Sequence, residues 1–421
     1  MKTTILLDHE PVPGGRIVRL LLKLEAAAPP RGDRLPLNLS LVLDRSGSMH
    51  GDKLHAARDA AALLVRRLSP EDVVSVVAYD DQVVTVAAPA RGAEQALLPR
   101  EIERIETGGS TNLSGGWLRG RELVAQNRIE CGVNRVILLT DGLANVGIID
   151  PQRLTGLAAQ AQRERITTTT IGFGADYNEG LLRAMADAGG GNMYYIERTD
   201  QAASIFADEL QGLLDLGAQN VAVEVRLMAA AELVAVHHDY PSARTADTLR
   251  VEVGDLYARE PKPLLAEFVM RGDVAVPATV AELIVSGDVL LDDGRVERQT
   301  ITLPVTVTET AARVEPEVRR ELLLLESARD RRAALELRGR GDLDAAAGKL
   351  ATARARLREA GLDDSELREE EADLAAMQDS LASGIFAPAD AKYMYHRAYN
   401  TSTGRRKKDE LIRRKKKGDP T

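Results

Sequence analysis

From residue 37 to about residue 212, short apolar runs alternate with stretches whose apolar positions recur at helical spacing. LNLSLVLD reads as a buried strand, and DVVSVVAYD, NRVILLT, ITTTTIGF and NMYYIE as further strands, because they are brief runs set between the helical stretches. Residues 52–68, 113–128, 151–165, 178–187 and 201–214 carry the helical period between them. Strands and helices in strict alternation predict a mostly parallel sheet covered by helices on both faces. QVVTVAA follows DVVSVVAYD almost at once, too soon for a crossover helix, so it is expected as an antiparallel partner at the sheet edge.

Beyond residue 217 the period falls to two. NVAVEVRLMA, ELVAVHHDY, TLRVEVGDL, KPLLAEFVMRG and ATVAELIVSG are turn-bounded and alternating, the pattern of an antiparallel sandwich. One similar run, RIVRLLLKLEA, lies before residue 37 and is expected to join that sandwich, which makes the α/β unit an insertion in a β domain. After Pro316 the helical period returns, and Gly341–Asp342 and Gly361 before Asp363 mark helix stops followed by new N-caps. GDLDAAAGKLATAR resembles half of a tetratricopeptide unit, but a single copy does not make an array. The expected boundaries are 1–36 for the N-terminal strand or strands of the sandwich, 37–214 for the α/β domain, 215–314 for the sandwich, 315–384 for a helical hairpin or three helices, and 385–421 for a tyrosine-containing, basic and flexible tail.

Composition narrows the setting. The 421 residues suffice for roughly two to four domains, and an aromatic content of 3% means cores built mainly from Leu, Val, Ile and Ala. Cys131 stands alone and cannot form an internal disulfide, which favours a reducing, cytoplasmic setting. The amino terminus lacks a signal-peptide core, and no segment reaches the ~20 apolar residues of a membrane span. The net charge of −9 conceals a tail, RRKKDELIRRKKK at 405–417, that carries +7 and leaves the remainder at −16. Such a block reads as a solvated arm. The acidic body argues against nucleic acid as its partner.

The candidate chemistry falls at the carboxyl edge of the predicted parallel sheet, where ligands bind in open α/β folds. Asp44, Ser46 and Ser48 follow the first strand, Ser110 and Thr111 sit in the glycine-rich TGGSTNLSGG, and Asp141 follows NRVILLT. All are hard oxygen donors with no cysteine or histidine interleaved, which suits Mg²⁺, or Mn²⁺ or Ca²⁺, better than zinc or copper. Two carboxylates and three hydroxyls balance the charge of the ion without closing an octahedral shell, so a partner's Asp or Glu could enter it.

DRSGS at 44–48, STN at 110–112 and TDG at 140–142 resemble, in order and position, the metal-ion-dependent adhesion site of von Willebrand factor type A domains. The resemblance covers roughly residues 37–212. It implies a Rossmann-like, doubly wound sheet, and a metal held by Asp44, Ser46, Ser48, Thr111 and Asp141, directly or through water. Arg45, VILLTDGLANVG and TIGFGADYNEGLL are similar to bacterial intracellular members, which often carry a flanking β-sandwich and helical tail. Some of those act as adaptors or chaperone subunits beside AAA+ ATPases of the MoxR type. The chain has no GxxxxGK[ST] of its own, so an ATPase would be a partner.

The expectation is therefore a divalent-metal-dependent protein-binding module and not an enzyme. Metal-assisted hydrolysis and a purely structural scaffold are the alternatives. A serine nucleophile would need an oriented histidine, and neither His50 nor His55 has an obvious orienting carboxylate in the sequence. His237 and His238 are adjacent in a strand pattern and should face opposite ways. Three RGD tripeptides (31–33, 271–273, 340–342) read as turn coincidences. KYMYHRAY, with Tyr393, Tyr395 and Tyr399 beside Lys392 and Arg397, reads as a terminal element anchoring the tail, and TSTGR at 401–405 as a conceivable phosphate acceptor. The helix QAASIFADELQGLLDLG runs straight into the sandwich, so a change at the metal could move it.

Overall fold

The structure, a computed structural model, describes residues 1–405 except 28–33, 175, 229–230, 246–247, 273–274, 292–294, 309–310, 362, 384–385 and 387. The basic tail beyond Arg405 and the first RGD therefore lie outside the described residues. The chain begins with a hairpin of β1 (Lys2–Val12) and β2 (Gly15–Glu25). An α/β segment follows: β3 (Leu37–Asp44), α1 (Asp52–Arg66), β4 (Val73–Tyr79), β5 (Val83–Ala90), α2 (Leu98–Glu103), α3 (Leu113–Gln126), β6 (Val133–Thr140), α4 (Pro151–Arg163), β7 (Thr167–Phe173), α5 (Glu179–Ala188), β8 (Gly190–Ile196) and α6 (Ala202–Leu214). Seven further strands come next: β9 (Leu216–Leu227), β10 (Ala231–Val236), β11 (Ser242–Arg244), β12 (Thr248–Tyr257), β13 (Lys262–Arg271), β14 (Ala278–Leu290) and β15 (Val296–Val307). Four helices close the described chain: α7 (Pro316–Gly339), α8 (Leu343–Glu359), α9 (Ser365–Ala382) and α10 (Pro388–Ser402).

Packing divides the chain into two compact units, one of Met1–Ala26, Val221–Gly287 and Gln299–Thr421, the other of Ala27–Asn220 and Asp288–Arg298. The second holds a six-stranded sheet of order β5-β4-β3-β6-β7-β8. Every neighbouring pair is parallel except β4–β5, which is antiparallel and places β5 at the edge. Every residue of β3, β4, β6 and β7 is buried, which requires cover on both faces. α3 lies over β3, β4 and β6, while α5 covers β7 and β8. The winding direction reverses between β3 and β6, so the crevice between their carboxyl ends is the switch point of a doubly wound sheet.

The first unit contains a sheet of order β1-β2-β13-β10, and the other antiparallel sheet has the order β11-β12-β9-β14-β15. On one face of β2 and β13, Leu21 and Leu265 pack with Val318 and Leu325 of α7. Leu20, Leu22 and Leu24 on the other face are just as buried, so the strands are covered on both sides. Leu324, Ala346, Leu350, Leu374, Met377 and Met394 form the core of the helical region. KYMYHRAY lies in α10, so Pro388–Ser402 is a packed helix and not part of a flexible tail: Tyr399 is fully buried and Arg397 donates to Glu370 at 2.7 Å. Ser402 and Thr403 are also buried and donate to the Tyr399 carbonyl, so the hydroxyls of TSTGR are closed to modification in the folded chain. The RGD at 340–342 is the turn between α7 and α8, with Gly341 at φ +83 and Asp342 capping α8 through the Ala345 N–H.

Candidate metal centre

β3 and β6 are adjacent parallel strands, so the residues at their carboxyl ends meet in space although 96 positions separate Asp44 from Thr140. Asp44 is fully buried. Its Oδ1 accepts from the Ser46 N–H at 2.8 Å and its Oδ2 from the Thr140 hydroxyl at 2.6 Å. The chain then makes a single 3₁₀ turn, Gly47–Met49, that turns Ser48 back over the strand end. The Ser46 and Ser48 hydroxyls lie 3.2 Å apart, and Ser48 donates to Asp141 Oδ1 at 2.6 Å. Asp141 is also fully buried, and its Oδ2 accepts from Lys53 Nζ at 2.5 Å.

The third loop arrives by backbone hydrogen bonding. Gly47 N–H donates to the Gly109 carbonyl at 2.9 Å, and Gly108 N–H to the Arg45 carbonyl at 2.8 Å, which ties the glycine-rich loop to the DRSGS turn. Thr111 is held by Asn145, whose Oδ1 accepts from the Thr111 N–H at 2.8 Å and whose N–H donates to the Thr111 carbonyl at 3.1 Å. Gly142 shows where the hydroxyls converge: a Cβ at this position would stand 3.5 Å from Ser48 Oγ and 3.6 Å from Thr111 Oγ1. The sheet edge thus gathers all five predicted residues. Ser48 and Gly47 are exposed while Asp44, Ser46, Thr111 and Asp141 are buried, so the cluster opens to solvent on one side.

Burial pushes the Asp44 carboxyl above its usual range, with the Asp141 charge adding to the effect and hydrogen bonds from Ser46 and Thr140 opposing it. A divalent cation would relieve that repulsion. Its donors would be two carboxylates and three hydroxyls. Among the described residues no group of three or more His, Cys, Asp or Glu side chains is placed to hold a metal. A hard ion fits the oxygen set, and Thr111 Oγ1, which has no hydrogen-bond partner among the described residues, faces the same point as Ser48.

Two supporting residues escaped the sequence reading. Asp80, just past β4, accepts from the Gln82 N–H at 2.8 Å, the Gly109 N–H at 3.1 Å and Arg45 Nη2 at 3.1 Å, and its carbonyl accepts from the Asn112 N–H. Burial raises its pKa, but these hydrogen bonds and the Arg45 charge outweigh that and hold it below the usual carboxylate range. Gly108 must be glycine, because a Cβ there would sit 1.6 Å from Asp80 Oδ2. Lys53, in the first turn of α1 and donating to Asp141, is the other.

His50 ends the 3₁₀ turn, exposed, with its N–H donating to the Gly47 carbonyl at 3.3 Å, and the other histidines lie elsewhere. His55 does have a carboxylate, Asp59 Oδ2 at 3.5 Å one turn on, but both side chains are exposed on α1. His237 and His238 lie just past the end of β10. His238 Nδ1 accepts from the Leu265 N–H at 3.0 Å and its Nε2 stands 3.2 Å from Glu321, whereas His237 Nε2 is 3.9 Å from Glu267.

Residues 38–208 match the family model for the von Willebrand factor type A domain. A relative in Synechocystis sp., the uncharacterized protein sll0103, is 30% identical over 350 residues, covering 80% of this chain and 82% of its own. Among solved structures, a von Willebrand factor type A protein from Catenulispora acidiphila aligns with a TM-score of 0.71 at 20% identity, over 88% of each chain. The chain belongs to the von Willebrand factor type A family. The ArnB paralog VWA2 from Sulfolobus acidocaldarius has the same fold along most of its length, with a TM-score of 0.61 at 17% identity over 96% of this chain and 99% of that one. This is a family of protein-interaction modules. No described helix is long and apolar enough to cross a membrane.

Proposed function

We propose that the von Willebrand factor type A domain of this chain is a divalent-cation-dependent protein-binding module. Asp44, Ser46, Ser48, Thr111 and Asp141 hold Mg²⁺, with Mn²⁺ or Ca²⁺ as substitutes, and a partner's Asp or Glu completes the shell. The observation that carries this reading is the convergence of the Ser48 and Thr111 hydroxyls, beside two buried carboxylates, on the space that Gly142 leaves open. Mg²⁺ takes six ligands and keeps several waters, so an incoming carboxylate has a position to occupy. The exposed Leu143, next to Gly142, gives the rim an apolar contact for the residue beside that carboxylate.

The same geometry disfavours hydrolysis. Among the described residues Ser46 and Ser48 bond to each other, to Asp44 and to Asp141 rather than to a histidine base. An AAA+ ATPase is one protein partner the reading admits. Capture of partners from cell extract, with Mg²⁺ and with chelator, tests the proposal. The full chain should retain partners only with the ion, and Thr111→Ala, which leaves both carboxylates in place, should lose most of that capture. Equal capture in chelator contradicts the proposal.

A further inference from the structure

Lys53 stands in the first turn of α1, about a third exposed, and places its ammonium 2.5 Å from Asp141 Oδ2 in the fully buried carboxylate. Arg45 pairs with Asp80 at 3.1 Å, while Asp52 and Asp81 are exposed and screened by water. Asp44 and Asp141 with Lys53 therefore leave the metal-free centre at −1. A divalent ion takes it to +1, whereas the same five oxygen ligands without the lysine would come only to neutrality.

We propose that Lys53 is the residue that makes this centre select an anionic partner, an inference that rests on the metal-binding reading above. Without metal, Lys53 is the counter-ion of Asp141 and competes with the incoming ion for it. With metal bound, its charge is the surplus that a partner's carboxylate neutralises. Lys53 is a positioning and specificity residue, since it acts on the ion through Asp141. The two roles have opposite signs, so removing the charge should tighten ion binding and weaken carboxylate binding together.

The experiment uses the full chain, Mn²⁺ as the ion and N-acetylglutamate α-amide as a one-carboxylate probe, with ion uptake read by electron paramagnetic resonance and probe entry by the loss of Mn²⁺-bound water from proton relaxation. Lys53→Met should bind Mn²⁺ about tenfold more tightly and, once loaded, take the probe about tenfold more weakly, as expected for one unit charge a few ångströms away at an interface dielectric. Its melting temperature should be lower than wild type without metal and rise further on loading, because an unpaired buried carboxylate is left in the apo protein. Lys53→Arg keeps the charge and should follow wild type in probe binding. A Lys53→Met variant whose ion affinity stays within twofold of wild type, or whose loaded form takes the probe undiminished, overturns the proposal alone. A wild-type chain that takes up no Mn²⁺ overturns the metal centre and the proposal with it.

Discussion

Glu209 and Asp141 are both acidic side chains buried in the α/β unit, and each is ion-paired to a basic residue, yet their surroundings differ in kind. Glu209, on α6, accepts from Arg135 at 2.9 Å, Thr169 at 2.6 Å, Asn192 at 2.8 Å and Tyr194 at 2.8 Å, and Arg135 also donates to Thr167 at 2.8 Å. Both members of that pair are out of water. Four donors from three strands enclose one carboxylate, which fixes α6 against β6, β7 and β8. Among the described residues Asp141 has only Ser48 and Lys53, beside a second carboxylate of like charge and an opening to solvent. The first arrangement is closed and complete, as a structural network must be. The second gathers two like charges with one counter-ion at a switch point, which is the arrangement the proposed metal centre needs.

Breaking the closed network should have the largest effect. Glu209→Ala leaves Arg135 buried without its counter-ion and should cost about 3–5 kcal/mol in urea unfolding. Replacing both Arg135 and Glu209 by apolar residues of similar size should recover much of that loss. The same network bears on movement of α6, since sliding this helix would strip Glu209 of donors on three strands. Amides of α6 should therefore exchange with solvent at the same rate with Mg²⁺ as with chelator.

At the open centre the sign reverses. Asp44→Asn removes a charge that burial and Asp141 both disfavour, and the Thr140 hydroxyl, 3.4 Å from the Gly142 carbonyl, has an alternative acceptor when it turns. The metal-free variant should match wild-type stability or exceed it by up to about 1 kcal/mol, because a functional site holds charge at the expense of stability. Its Mg²⁺-induced rise in melting temperature should vanish. A loss in the metal-free variant as large as that of Glu209→Ala would erase the distinction between the two regions. The smallest structural change is Gly142→Ala. Its Cβ meets Ser48 and Thr111 at ordinary contact distance, so unfolding should shift by less than about 1 kcal/mol. Mg²⁺ affinity should still fall severalfold, since a methyl group then stands between two of the ligand hydroxyls.

How far the sequence displayed all this depends on where each residue's partners lie. The alternation that predicts β3, β4, β6 and β7 survives because every residue of these strands is buried in a two-sided sheet. Asp44, Thr111 and Asp141 were recognisable because strand ends in a parallel sheet converge on one edge, so three separate motifs could be placed together before any coordinates. Lys53 was invisible, since a lysine in a first helical turn reads as a solvated side chain. Asp80 was hidden for another reason, because its work is to accept backbone N–H groups, which leaves no motif. β1 shows no clean strand run of its own, because Asp8, His9 and Glu10 interrupt its apolar pattern. Asp8 is nevertheless fully buried, neutralised by Arg19 at 3.3 Å and by Arg319 at 2.8 Å from 311 positions away. Long-range ion pairs of that sort carry no local periodicity.

The most direct test of the central claim is calorimetric titration of Mg²⁺ into the full-length wild-type chain and its Thr111→Ala variant, each first stripped with chelator. Wild type should bind one ion per chain, and the variant, with both carboxylates and Lys53 intact, should bind it at least about tenfold more weakly, since even groups that only support a metal's ligands cost about that much when removed. Equal affinity in the two proteins, or no heat of binding in wild type, would contradict the assignment of Asp44, Ser46, Ser48, Thr111 and Asp141 as one metal centre.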